Sequence, residues 1–467
     1  MAKPSSITAN FSMEAIFIYD YLILIPYLII FFLLARSMAK QEEPRLRPYM
    51  MTAFWLRMLG CVLYSMIMQY YYGYGDSFTY FKGSNFFTSK ISEDPGNIHY
   101  LFASAKDIAE WYKASPESDF AFSGYFTHPS GNMVMRVSAF LSYVSFNRFL
   151  IISLFFAFFS FVGQWRMFRV FDDINKKQRT GLMAIAVLYS PSLWFWGSGL
   201  LKDSLCLGGL GCMVYILYNA IEKRKLSPWN VIAFLAIFYC VAVIKSYITN
   251  ILLISIVFTM AFVFIQKINN YIIRIGLLLF IILISFVGLS LIDISSQIND
   301  LVEDAVMQIN AYQQNYETVS AEMEDSKGGF TMKAIDPSLS TIIKRAPGVV
   351  LSCLYRPFLW ESRKIIILFT SLESTVLLYC TLYLLFKGKI VGFFKPIFAE
   401  RYMFFSFTLS ILFALIIGFT TFNFGTMIRY KIIFLPFFYF MLVRLYTILK
   451  NGKAQQVSLH AQDIKPL

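Results

Sequence analysis

Short polar stretches interrupt this chain where the surrounding sequence is apolar. "GDSFTYFKGSN" carries Asp76 and Lys82, "WGSGLLKDS" carries Lys202 and Asp203, and "IKSYITN" carries Lys245. Further on, "LYRPFLWESRK" carries Arg356, Glu361 and Arg363, and "FNFGTMIRYK" carries Arg429 and Lys431. Charges close to hydrocarbon are costly and usually mark function or a buried pair. The cations have the chemistry to hold a phosphate or diphosphate, Arg with a rigid fork of donors and Lys as a point charge. A carboxylate among Asp76, Asp203 and Glu361 has the chemistry to remove a proton from an acceptor hydroxyl. Tyr74, Tyr80, Trp194, Trp196, Tyr247 and Trp360 would flank a sugar or a polyisoprenyl chain. The mixture suits an anionic lipid that carries a sugar.

Each residue also has a plainer reading. Asp76 follows Gly75 in a turn, where Asp commonly serves as a cap or loop residue. Lys202 and Asp203 would form a solvated turn, with Asp203 capping a helix that starts near Ser204. Arg356 precedes Pro357 and is long enough to snorkel to water, and Glu361 beside Trp360 is open to a similar reading. Arg429 and Lys431 sit at a span entrance on the side that the positive-inside bias disfavours, which makes Arg429 the strongest cation candidate. Glu373 lies inside an apolar run and needs a partner or a proton. Tyr and Trp at span ends belong mostly to the ordinary aromatic belt.

The elements that must position these residues are membrane helices. Hydrophobic residues make up 57% of the chain and charged ones 15%, where soluble proteins carry about a quarter charged. Apolar runs of about 20 residues, the length that crosses a bilayer core, recur along the sequence. They are continuous rather than alternating, which excludes a β-barrel. The expected fold is an all-α polytopic membrane protein, a single membrane domain with about eleven spans. These are placed at 14–36, 49–71, 146–166, 180–199, 205–222, 229–245, 249–267, 273–293, 364–386, 402–421 and 431–449. The first run is long enough to span rather than to be a cleaved leader.

If the spans alternate, basic clusters such as Arg45 and Arg47, Arg166 and Arg169, and Lys223 to Lys225 all fall on one side. The positive-inside bias makes that side cytoplasmic, with the N-terminus outside and the C-terminus inside. The net charge of +13 therefore reports topology rather than nucleic acid. Two large segments, 73–132 and 294–346, face outward, and acidic residues outnumber basic ones in both. The first reads as a folded loop with short surface helices, followed by an interfacial or re-entrant helix at 131–145 that contains Arg136. The second reads as partly helical around 294–325. Every polar stretch named above lands on the outer face. The six cysteines lie in apolar surroundings without a CxxC and read as buried free thiols. Three histidines without metal-ligand spacing make a histidine metal site improbable. Carboxylates on the outer face could bind Mg or Mn, but no ligand set has diagnostic spacing.

The layout resembles the GT-C class of integral-membrane glycosyltransferases, which have about ten or more spans. "GDSFTYFKGSN" matches the acidic residue that these enzymes place at the start of the first large outer loop. The resemblance implies Asp76 as general base. "SPSLWFWGSGLLKDSLCLGGLG" is similar to a Pro-then-Lys/Asp turn of bacterial members, and "NFGTMIRYKIIFLPFF" to an Arg-Tyr…Pro signature entering a late span. These imply Lys202 and Arg429 beside a carrier phosphate, with Arg356, Lys431 and Lys245 as further cations. Asp203, Glu361, Trp196, Tyr80 and Trp360 would be secondary contacts. The implied partners are a polyprenyl-linked sugar donor, membrane lipids, and a glycan, lipid or protein acceptor, at the outer face of a bacterial cytoplasmic membrane. Two other readings stay open: an O-antigen polymerase or ligase that relies on arginines, and a flippase for the lipid-linked sugar. Flippases and other transporters usually set their polar groups at mid-membrane. A purely structural role is the remaining alternative.

Overall fold

The structure, a computed structural model, describes residues 15–266, 339–362, 365–421 and 424–463. Among them every regular element is helical and there is no strand. The expected span 273–293 and the part of segment 294–346 before Leu339 lie outside the described residues. Among the described residues seven helices are long and apolar enough to cross a membrane, or eight if one bent pair counts as a span. The chain is an all-α, multi-pass membrane protein, and its described residues fall into two compact units.

The first unit holds the described residues up to Asp173 together with Ala184–Thr249. It opens with α1 (Ile18–Lys40) and α2 (Arg47–Ile67), the latter extended by a π turn to Tyr72. Gly73 (φ 70°) ends that turn and Gly75 (φ 138°) starts the next helix. A side chain at Gly75 would be strained by its φ and would meet Met68 Cε at 2.6 Å. The expected loop 73–132 is then built from α3 (Asp76–Glu93), a 3₁₀ turn (Pro95–Leu101), α4 (Ala105–Ala114), α5 (Phe120–Thr127) and the start of α6 (Pro129–Ser142). Phe86, Trp111, Tyr112, Phe122 and Phe126 form its aromatic core. Arg136 ties α6 to the 3₁₀ segment through the carbonyls of Leu101 (3.4 Å) and Ala103 (2.7 Å).

Helix α7 (Phe149–Ile174) crosses the unit, and α8 (Thr180–Val187) and α9 (Pro191–Trp196) follow it. The expected span 180–199 is therefore broken rather than a continuous helix. Ser190, placed before Pro191, adopts ψ 126°, outside the helical region. After it come α10 (Lys202–Glu222), α11 (Pro228–Ile244) and α12 (Ser246–Gln266). At 17 residues α11 is only about 25 Å long. Helices α7 and α10 approach through Gly163, Gly208 and Gly211, where an added Cβ would collide with the facing backbone or with Phe159. Close approach through small residues is the usual way membrane helices pack.

Two polar ends result. At one, Arg45 pairs with Asp172 (2.5 Å), Arg169 with Glu42 (3.1 Å) and Lys223 with Asp173 (2.9 Å). At the other lie the start of α1, where Asp20 meets Arg148 (3.6 Å), the turn before α3, and the start of α10.

The second unit holds Ile174–Met183 and the described residues from Asn250 on. Its helices include α13 (Leu339–Tyr355), α14 (Ile365–Ile397), α15 (Arg401–Thr420), α16 (Phe424–Lys431) and α17 (Leu435–Asp463). Helices α16 and α17 are bent by 62° across their break. Glu373, expected to need a partner inside its span, accepts a hydrogen bond from Tyr439 Oη (2.6 Å). Glu400 pairs with Arg444 (2.7 Å). All six cysteines are free: four are buried, Cys240 is half-buried and Cys380 is exposed.

Candidate functional site

The glycine-bounded turn of the first unit sets Asp76 in the first turn of α3, exposed to solvent. That position is favourable for a carboxylate, because the helix dipole and the unpaired first N–H groups present positive charge there. The next residue, Ser77, is fully buried and hydrogen-bonded to the Tyr64 hydroxyl at 2.9 Å, which fixes the start of the helix against α2.

Lys202 begins α10 and is half-buried. Its ammonium donates to Ser130 Oγ (2.8 Å) at the start of α6 and lies 5.7 Å from the centre of the buried Tyr80 ring. It interacts electrostatically with Asp76, Lys245 and Asp203. Residues far apart in sequence thus converge at one end of this unit.

Asp203 does not cap α10. The N-cap is Leu201, without a side-chain cap bond. Instead the Asp203 carboxylate, fully buried, accepts from Lys245 Nζ at 2.5 Å. Lys245 stands in the break between α11 and α12, 5.9 Å from the Tyr247 ring centre. Glycine makes the pairing geometrically accessible: a Cβ at Gly209 would meet Val241 at 2.7 Å and Ile237 at 3.1 Å, so α11 lies close against α10. Trp196 is packed edge-on to Tyr64 at 6.1 Å.

The arginine-bearing stretches belong to the second unit. Arg356 forks onto Glu361, with Nε to Oε1 at 2.9 Å, and stands 5.3 Å from the Phe424 ring centre. Burial pushes the Glu361 carboxyl up, but the Arg356 guanidinium and the Phe358 N–H (2.8 Å) outweigh it, so its pKa falls below the ordinary value. Lys431, 2% exposed, donates to the Arg356 carbonyl at 2.8 Å. Arg429 is half-buried in the last turn of α16. Trp360 stacks on Phe358 at 4.8 Å and stays 80% exposed. Arg363 lies outside the described residues.

Two features were not anticipated from the sequence. The first is a polar clasp near the middles of α2 and α7. Arg57, 1% exposed, donates to the Leu193 carbonyl (2.8 Å) and to Gln164, and Gln164 donates to the Val187 carbonyl. These carbonyls flank the break between α8 and α9. Backbone groups freed inside a membrane need such partners. Arg57 within an apolar run was itself the available signal. The second is a cleft of about 650 Å³ beside α3. Among the described residues no group of three or more His, Cys, Asp or Glu side chains is placed to hold a metal ion.

Fold and site define a multi-pass helical membrane protein with a carboxylate–lysine cluster at one end of a helical unit. No family model, curated protein or solved structure matches the chain.

Proposed function

We propose that this chain is a membrane glycosyltransferase that moves a sugar or glycan from a polyprenyl phosphate or diphosphate carrier to an acceptor. The observation that carries the reading is the convergence of exposed Asp76 with Lys202, Tyr80 and Ser130 from three separate segments. In the proposed reaction the acceptor hydroxyl oxygen bonds to the anomeric carbon and its proton passes to the Asp76 carboxylate. The bond from that carbon to the carrier oxygen breaks, and the electron pair leaves with the phosphate. Lys202 balances the charge that develops on the leaving group. Lys245 acts through Asp203 to position α10.

The proposed orientation sets this end of the unit at the outer face of a bacterial cytoplasmic membrane. The clustering of Arg45, Arg169 and Lys223 at the opposite end supports it. The proposed count of about eleven spans includes the broken segment 180–199, the short α11, the bent α16–α17 pair and residues 273–293.

The test is turnover of a polyprenyl-phosphate-linked sugar by the purified chain in nanodiscs. Asp76→Asn is expected to lower turnover by about 10²–10⁴-fold. Near-full activity of that variant, with loss in Arg429→Ala, would replace this reading with the arginine-based polymerase or ligase. Carrier movement across liposomes without product would replace it with a transporter.

A further inference from the structure

In the second unit, the turn before α8 and the later part of α14 bring two cations to one aromatic ring of α17. Arg179 Cζ lies 4.8 Å and Lys387 Nζ 4.9 Å from the centre of the Tyr446 ring, so the two charges stand within about 10 Å of one another. Packing holds both in place. Arg444 and Asn451 of α17 grip the turn through Asn175 Oδ1 (3.5 Å) and Gln178 Oε1 (2.8 Å). Gly388, next to Lys387, lets α17 come close, since a Cβ there would lie 3.2 Å from Leu449.

Among the described residues neither cation is paired with a carboxylate. Lys387 donates only to a neutral phenol, Tyr383 Oη, at 3.2 Å. Glu400 is taken by Arg444 at 2.7 Å. The basic end of the first unit is different, because Arg45, Arg169 and Lys223 there each meet an Asp or Glu. Exposed Lys389 and Lys450 add further positive charge beside the pair. Like charges held this close repel, and an anion placed with them turns repulsion into attraction.

The surface beside the pair selects the kind of anion. Along α14, Phe369, Leu372, Val376, Tyr379, Tyr383 and Phe386 recur every three or four residues and are 43% to 79% exposed. That spacing sets them on one helix face, and the face runs for roughly 25 Å. It belongs to a helix apolar enough to span a membrane, so it faces hydrocarbon. Lys387 stands at its end, with its ammonium on the hydroxyl of Tyr383 and 5.3 Å from the centre of that ring. A free phosphate would leave the seam unused. An acyl chain has to cover only half of a hydrocarbon core about 30 Å thick, and the seam is long enough for it.

From two uncompensated cations at the end of a hydrocarbon-facing seam, we infer that this site binds the phosphate of an anionic phospholipid. Arg179 offers a fork of donors and Lys387 a mobile point charge to the phosphate oxygens, while an acyl chain lies along α14. Basic pockets between helices at one end of a membrane bundle suit such headgroups. The site is independent of the transferase reading.

The test is native mass spectrometry of the full-length chain in a neutral detergent, titrated separately with dioleoylphosphatidylglycerol, dioleoylphosphatidylcholine and glycerol phosphate. Phosphatidylglycerol is expected to bind at least about tenfold more tightly than either of the others, and Arg179→Asn and Lys387→Met are each expected to weaken it by about tenfold, the equivalent of one charge-assisted hydrogen bond. Asn suits position 179 because the backbone there takes φ 53°, which Asn adopts readily. Lys106→Gln removes an 83% exposed cation of the first unit and is expected to leave binding unchanged. Thermal unfolding shows whether each variant is folded, and Lys387→Met carries the test if Arg179→Asn is not. Equal binding of the two lipids overturns the inference. So does phosphatidylglycerol binding that the folded variants leave unchanged, or that Lys106→Gln weakens as much. Glycerol phosphate held as tightly as phosphatidylglycerol would assign the pair to a soluble phosphate and overturn the lipid site.

Discussion

The ion pair between Lys245 and Asp203 separates a structural role from a ligand-binding one. Its side chains are 7% and 0% exposed and 2.5 Å apart. Removing one partner of such a pair leaves a buried charge uncompensated and typically costs ~3–5 kcal/mol, whereas replacing both with apolar groups is often neutral. Lys245→Met leaves Asp203 with Lys202, which interacts with it electrostatically but whose ammonium is held at Ser130, 2.8 Å away. That residual attraction places the expected loss near the lower limit, about 3 kcal/mol. Asp203→Leu leaves Lys245 at a helix break, where the long side chain has some freedom to reach water, so its loss is expected to be smaller, about 2 kcal/mol. The double variant is expected within about 1 kcal/mol of wild type, a coupling of roughly 5 kcal/mol. Denaturant unfolding of the solubilised chain, followed by tryptophan fluorescence, measures all four corners of the cycle. Additive losses, or single losses below about 1 kcal/mol, would refute a mutually satisfied buried pair.

Gly163→Ala is expected to destabilise the chain by about 1–3 kcal/mol or more, because its Cβ would strike the Gly208 backbone across the α7–α10 crossing. Gly348→Ala, with nothing within 4 Å, is the matched control and is expected to be neutral or slightly stabilising; equal thermal midpoints for the two would count against the crossing. Glu361 has a depressed pKa, so its contribution to stability is full above the ordinary carboxylate value of about 4.3 and is lost as pH falls through the lower folded value. The difference in unfolding midpoint between wild type and Glu361→Gln should shrink on acidification below about pH 4 and stay constant from pH 6 to 8; a difference that grows on acidification would reverse the assigned sign.

Span positions were legible wherever an apolar run was long and continuous, as for α1, α2, α7, α14 and α15. Hydropathy averages over a break, however. "GLMAIAVLYSPSLWFWG" is mostly apolar, yet Pro191 starts a new helix there, the Val187 carbonyl is satisfied by Gln164, and Arg57 holds both Gln164 and the Leu193 carbonyl. Those partners lie more than twenty residues away in sequence, so only packing reveals them. Alternating topology set every polar stretch on one expected face, but that Asp76, Lys202, Asp203 and Lys245 meet within the first unit is visible only in the fold. Which charge meets which was not legible either. A helix-start Asp reads locally as a cap, whereas its actual partner depends on how closely α11 approaches Gly209. The cleft beside α3 was hidden for a related reason. Its lining comes from α3, α4, α5 and the 142–147 turn, which only folding brings together.

The pairing also decides which lysine at this end of the unit is poised to meet an anionic ligand. Asp203 and Lys245 neutralise one another out of contact with solvent. Lys202 instead spends its direct hydrogen bond on a neutral hydroxyl, Ser130 Oγ, beside the face of Tyr80. Exchanging a hydroxyl for a phosphate oxygen converts a charge–neutral contact into a charge-assisted bond between ions, which is stronger and shorter. Making the same exchange at Lys245 would first strip a buried carboxylate of its counter-ion, at a cost that the new contact would have to exceed. An incoming anion is therefore favoured at Lys202 and disfavoured at Lys245, although both are lysines at the same end of the same unit. Loss of Lys202 should then appear in affinity for the proposed phosphate-linked donor with little change in stability, and loss of Lys245 in stability first.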